Sequence, residues 1–331
     1  MIKLSQILKY HFKIKFFLIL LLSFFHFSCS TEIKNQTSLE KMKLNGKVES
    51  LKITQYKAID KFGEITTTDT LKDGRGWTET EFVFDKKGNN IKEILYSKSE
   101  GYSYLLGKVA YSEEKRIYEY KYDDYNNLIE KRIDDRSNTI WKYTYDVQQN
   151  LITEEYWKNE KLSSKKILTY DEFGNEIEMS EYDSEGDLKY KEIIEYSIKD
   201  GIKYEKSKTY GSDGELKWGY NFEYDSNGNM IKSYGTNTSY GTIDIMEYST
   251  NNELLKKTVN YSTNNPMYVI MITYDDFGNI NKETKVDYST QNDDYEKTYK
   301  YEFDEKKNWI KKIEYSKVNP VKVVLREIKY Y

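Results

Sequence analysis

Acidic side chains stand in adjacent pairs at Asp123-Asp124, Asp134-Asp135, Asp275-Asp276 and Asp293-Asp294. Two carboxylates facing each other across a cleft are what glycoside hydrolysis needs. Spacing along the chain fixes no such separation, and Asp pairs among Asn, Gly and Ser belong more often to turns. Both histidines, His11 and His26, lie in the apolar leader. The mature chain is therefore expected to hold no imidazole, which removes Ser-His-Asp and Cys-His nucleophiles, His-ligated zinc and the commonest general base. The stretch Asp225-Ser226-Asn227-Gly228-Asn229 is spaced like the start of a calcium loop, yet its Gly comes early and no Glu takes the twelfth position. No glycine-rich phosphate cradle occurs. These features predict a non-enzymatic protein without cofactor or metal. One surface suits binding: Trp141, Tyr143, Trp157, Trp218 and Tyr220, with Tyr145 and Tyr224, offer stacking platforms. Burial against neighbouring strands is the competing use of the same rings.

Strands must position these rings. Trp218, Tyr220, Phe222 and Tyr224 alternate with Lys217, Gly219, Asn221 and Glu223, and Tyr295 to Phe303 repeats the pattern. Period two marks a sheet with one apolar and one wet face. Tyr makes up 34 of 331 residues and Pro only two, which favours long unbroken β-structure. A turn phrase separates the strands: an aromatic, Asp, two free positions, Gly or a polar residue, then usually Asn. Its Asp residues are Asp85, Asp123, Asp146, Asp171, Asp225, Asp275 and Asp304, with Gly174, Gly228 and Gly278 in the left-handed position. Asn126 suits that position at modest cost, whereas Gln149 and Lys307 suit it poorly, so their turns are expected to differ. Weaker turns are expected at Tyr182–Gly186, Ser212–Glu215 and Thr250–Glu253. Each repeat is then two strands over about 25 residues. The expected fold is all-β: a repetitive antiparallel β-meander of hairpins forming a twisted or curled single sheet.

Tyr170-Asp171-Glu172-Phe173-Gly174-Asn175 and its copies at Tyr224 and Tyr274 resemble the YD repeats of the RHS-repeat family. The resemblance runs over roughly residues 80 to 315. In large family members such repeats form a β-shell around a C-terminal toxin, and the resemblance extends an immunity role as one implication. Too few repeats are present here to expect closure of a shell. The chain looks more like the short lipoproteins built from such repeats.

At the N-terminus Lys3, Lys9, Lys13 and Lys15 precede the apolar run Phe16–Phe25, and Ser28-Cys29-Ser30 follows. The run is shorter than the roughly 20 residues a spanning helix needs. A small residue before a lone Cys resembles a bacterial lipobox, implying cleavage before Cys29 and lipid attachment to its sulfur. Ser30 resembles the sorting residue of lipoproteins sent to an outer membrane. The expected organisation is a signal peptide over 1–28, a polar tether over 29–43 and a YD-type β-sheet domain over 44–331. Removing the four lysines leaves 47 basic against 55 acidic residues, interspersed rather than in blocks. That is no nucleic-acid footprint. The expected partners are a membrane, through the lipid, and an envelope protein or glycan. The leading expectation is a binding module at the cell envelope, with glycan binding or processing and toxin immunity as alternatives.

Overall fold

The structure, a computed structural model, describes residues 35–73, 76–103, 108–235, 241–261, 265–289 and 293–331. The expected signal peptide and Cys29 lie outside them. One helical turn, α1 (Ser38–Lys41), precedes β1 (Val48–Lys61), β2 (Glu64–Thr70), β3 (Glu79–Phe84), β4 (Asn90–Ser103), β5 (Lys108–Tyr122), β6 (Leu128–Ile133) and β7 (Thr139–Tyr145). Then come β8 (Leu151–Lys158), β9 (Lys161–Tyr170), β10 (Glu176–Asp183), β11 (Leu188–Lys199), β12 (Ile202–Gly211), β13 (Leu216–Tyr224) and β14 (Met230–Gly235). The last seven are β15 (Thr242–Tyr248), β16 (Leu254–Tyr261), β17 (Pro266–Tyr274), β18 (Ile280–Asp287), β19 (Tyr295–Phe303), β20 (Trp309–Ser316) and β21 (Asn319–Tyr330).

From β3 to β21 every strand pairs antiparallel with the next, as the meander predicts. The ends then meet. β1 pairs with β21 along one edge, Leu51 opposite Ile328, and with β3 along the other, Leu51 opposite Phe82. β2 is a hairpin extension of β1. The sheet is therefore a closed barrel of 20 strands, not an open curled sheet, and the repeats do suffice to close. Closure removes both sheet edges, whose unpaired amides would otherwise invite aggregation.

The turn phrase acts as a lock. In all seven copies Asp Oδ1 accepts the backbone N–H groups two and four residues on, at 2.8–2.9 Å. The Asn at the second of these donates back to Oδ2 in the turns at Asp123, Asp146, Asp171, Asp225 and Asp275. The residue between is left-handed. Gly88, Gly174, Gly228 and Gly278 take φ of 75–97°, and Asn126, Gln149 and Lys307 take 64–70°. Gln149 and Lys307 thus form the same turn, contrary to expectation, and at Gln149 a bond from the neighbouring repeat offsets the local cost. Asn127 Nδ2 donates to Gln149 Oε1 at 2.6 Å, and Asn89 Nδ2 to Asn126 Oδ1 at 3.1 Å. The segment at Thr250–Glu253 proves to be an eighth copy on the same rim. Ser249 Oγ replaces the carboxylate, accepting from Asn251 and Glu253 N–H, and Asn252 Oδ1 accepts from Asn229.

The aromatic before the Asp has its own partner. Tyr145, Tyr170, Tyr248 and Tyr274 donate their hydroxyls to Leu128, Leu151, Met230 and Leu254 carbonyls, each at the turn exit of the preceding repeat. Phe303 cannot donate, and Tyr301, one inward position earlier, bonds Ile280 O instead. Repeat is tied to repeat through side chains as well as through the ladder.

Asn175 holds the Asp171 carboxyl, and Asn229 the Asp225 carboxyl, below the usual range, aided by the turn amides. Carboxyls depressed on folding stabilise the native state above their unfolded value, near 3.9, and that contribution fades as pH falls through the folded value. The melting temperature should therefore drop progressively below about pH 5. Asp171→Asn with Asp225→Asn should flatten that slope in melts run from neutral to acid; an unchanged slope would place the acid sensitivity elsewhere.

The two faces of the wall differ. The face carrying the aromatic ladder also carries Glu181 and Glu314, with side chains 11% and 10% exposed. Glu195 and Glu302 on the other face are 60% and 59% exposed. In a closed cylinder inward side chains converge, so the aromatic face is the inner one. On the outer face Glu155, Glu223, Glu247 and Glu302 pair with directly opposite Lys165, Lys232, Lys256 and Lys311 at 2.7–3.1 Å. Such partly exposed pairs contribute roughly 0.2–1 kcal/mol each. Extensive strand contacts run only between hydrogen-bonded neighbours, so opposite walls stand apart around a lumen. Barrels of 16–18 strands already leave an aqueous channel.

A compact apolar cluster covers the closing seam. Leu39, Leu44, Val48, Leu51 and Phe84 are buried together on the inner face, flanked by Phe82 and Ile328. Residues expected to belong to a polar tether supply part of it. Thr37 caps α1, accepting the Glu40 N–H while the Glu40 carboxylate accepts the Thr37 N–H. Leu39 N–H donates to Gly88 O, and Asn45 bonds Asn308. The strap from Thr37 to Lys47 thus spans from the β3–β4 turn to the β19–β20 turn. Leu39 and Met42, two apolar residues three apart within a polar run, carry too little periodicity to announce this.

Candidate functional site

The inner wall collects most of the predicted ring platform. Trp141 packs on Tyr156 across the β7–β8 pair at 5.2 Å between centroids, and Lys131 lies 5.0 Å above it. Tyr143, next on that face, has its hydroxyl pushed up to about 12 by burial and by Glu154. Trp157 does not join them. It faces outward, directly opposite Ile140, donates to Glu155 at 3.1 Å and sits under Lys142. Counting in twos from Ile152 puts Tyr156, not Trp157, on the inner face.

Trp218 and Tyr220 are the rings that remain open, 50% and 47% exposed. With Phe222 and Tyr224 they form a run along β13, successive centroids from Tyr220 being 6.2 and 6.5 Å apart. Trp218, Tyr220 and Phe222 line a cleft of about 490 Å³ with Ser233, Gly235, Thr242 and Asp244 from β14 and β15. Asp244 also bonds Lys257 at 2.7 Å. Ring faces, a hydroxyl and a fixed carboxylate in one water-filled cleft can stack against an apolar ligand face while hydrogen-bonding its edge.

The paired carboxylates lie at the rims. Asp123 and Asp275 are turn locks, Asp124 pairs with Lys87, Asp135 accepts from Ser137 and Thr139, and Asp294 accepts the Asp287 N–H. The calcium-like stretch at Asp225 spends its oxygens on the turn. Two acidic groups stand out: one arises only from strand pairing and escapes the sequence reading, and the other lies within the β10–β11 turn that the sequence marks at Tyr182–Gly186. Glu176, Glu192 and Glu205 gather on β10, β11 and β12, and burial with the other two carboxylates pushes Glu176 up. Asp183, Glu185 and Asp187 bring carboxylate oxygens within 4.8 Å at the other rim, where Glu185 and Asp187 are exposed and Asp183 Oδ1 accepts both of their N–H groups, as in the locks.

No family model and no curated protein matches the chain. Among solved structures it is similar to a porin-like protein from Bacteroides uniformis, at 12% identity and a TM-score of 0.32, covering 85% of this chain and 96% of that one. It is also similar to TcdB2-TccC3, at 11% identity and 0.23, covering 72% of this chain and 18% of that one. Scores this low carry no argument; the fold rests on the strand pairing itself.

Proposed function

We propose that this is a non-enzymatic binding barrel of the cell envelope, built from short YD-type repeats, held to a membrane by lipid on Cys29, and taking its ligand inside the lumen. The single observation that carries the reading is the open pair Trp218 and Tyr220 on the inner wall. Large exposed rings in a concave, water-accessible cleft are costly to maintain unless something covers them. A saccharide is the ligand class that suits them: its C–H face stacks on the rings, and Ser233 and Asp244 meet its hydroxyls. The outer wall supports a barrel standing in water beside the membrane. Lys or Arg at the bilayer midplane costs about 2–4 kcal/mol on a lipid-facing strand, and this wall is girdled by lysines.

Two measurements test the reading. In a glycan panel, wild type should bind a saccharide that Trp218→Ala and Tyr220→Ala weaken by about tenfold or more, since each removes a stacking surface. Binding untouched by both variants would remove the cleft from consideration. In fractionated cells, Cys29→Ala should move the protein from the membrane pellet to the soluble fraction; retention in the pellet would sink the lipid anchor.

A further inference from the structure

On the inner wall of β20 and β21, ten strands round the barrel from β10 and β11, the charge balance reverses. Lys312, Lys322 and Arg326 stand there around Glu314, joined by Lys297 of β19, which has Glu283 of β18 directly opposite. Glu314 is already taken, by Lys322 at 2.8 Å and Lys297 at 3.4 Å. Among the described residues no carboxylate pairs with Lys312 or Arg326. Both instead rest on Trp309, the guanidinium carbon 3.4 Å and the ammonium 5.5 Å from the ring centroid. Arg326 Nε is buried and makes no hydrogen bond. Burial pushes Arg326 down to about 10, and burial with Lys322 and Arg326 lowers Lys312.

Two desolvated cations beside each other cost stability, and a stacked ring offsets only part of it. Arg presents a planar fork of donors that matches carboxylate, sulfate and phosphate oxygens, and Lys adds a mobile point charge. We propose that Arg326 and Lys312, braced on Trp309, form a binding site for the anionic group of a ligand in the lumen. The proposal rests on the reading of the lumen as the ligand compartment, and names the charge its ligand carries.

The test titrates purified full-length protein, at constant ionic strength, with sodium sulfate, a galacturonate trisaccharide and neutral maltotriose. Tryptophan fluorescence and melting temperature are read together. Sulfate or the galacturonate should bind saturably and raise the melting temperature of wild type. Lys312→Gln should weaken that binding by about tenfold, and Arg326→Gln should abolish it. Without anion, Lys312→Gln should melt at or above wild type, because it removes an uncompensated charge; this variant keeps the test valid if Arg326→Gln folds poorly. Tighter binding of the galacturonate identifies a carbohydrate as the source of the anion, and equal binding identifies the free ion. No saturable response to either anion, or responses equal in wild type and Lys312→Gln, would overturn the site. Trp218→Ala separates the two readings. If it abolishes glycan stacking yet anions fail to bind, only the anion site falls; if anions bind and no glycan responds to Trp218→Ala, only the saccharide reading falls.

Discussion

Phe84→Ala is expected to destabilise the barrel by about 3–5 kcal/mol, the range for deleting a buried aromatic ring. Phe84 is fully buried and lies among Leu39, Leu44, Val48 and Leu51, the largest side chain of that cluster. Few other places in the molecule bury apolar side chains completely, because the wall is one layer thick around a lumen. Only the short strap carrying Leu39 and Leu44 lies over a cavity made here. The site is also where β3 meets β1, so the damage should open the seam and expose two strand edges. Urea denaturation would give the free-energy change, and light scattering the tendency to associate. A loss below about 1 kcal/mol, the scale of an ordinary substitution, would mean that backbone pairing alone holds the seam.

Asn308→Ala should cost about 2–4 kcal/mol, from lost hydrogen bonds and buried partners left unpaired. Its Oδ1 accepts the Asn45 N–H at 2.8 Å, while Nδ2 donates to Asn45 O at 2.9 Å and to Tyr330 Oη at 2.7 Å. It is buried, and Tyr330 in turn donates to Asp304. Removing the amide releases the strap and disturbs the lock of the same turn. Asn229→Ala is the control: its amide bonds Asp225 and Asn252 at a more exposed turn, so about 1 kcal/mol is expected. Proteolysis should then cut Asn308→Ala first within the strap, and Asn229→Ala no faster there than wild type.

Strand content and hairpin positions were legible because both are local. Alternation of Tyr and Trp with Lys and Glu sets the faces, and Asp with a left-handed residue sets each turn. The lock at Ser249 was nearly legible, since Asn252 keeps the left-handed position and only the first and fifth side chains differ, Ser for Asp and Glu for Asn. Closure was not legible, because it depends on β1 finding β21 and β3, and no turn phrase encodes the strand total at which a curling sheet meets itself. Gln149 shows a second limit. Its intrinsic preference argues against a left-handed backbone, and an amide donated from Asn127 in the neighbouring repeat overrides it. The anion site and the Glu176 cluster fall outside the sequence reading for the same reason: their members come from separate strands and become neighbours only through the ladder.

Closure through β1 also orders events in time. Every other strand of the ring finds a partner in the next segment to be made, but β1 pairs with β3 only over Ser50–Thr54 and owes its longer pairing to β21. Non-local pairing is slow because loop closure must precede any reward. During synthesis β1 must therefore wait, its far edge unsatisfied, until the last strand emerges. A chain stalled or truncated before β21 would be a nearly complete meander with two sticky borders, and its safe maturation depends on keeping those borders apart until β21 arrives.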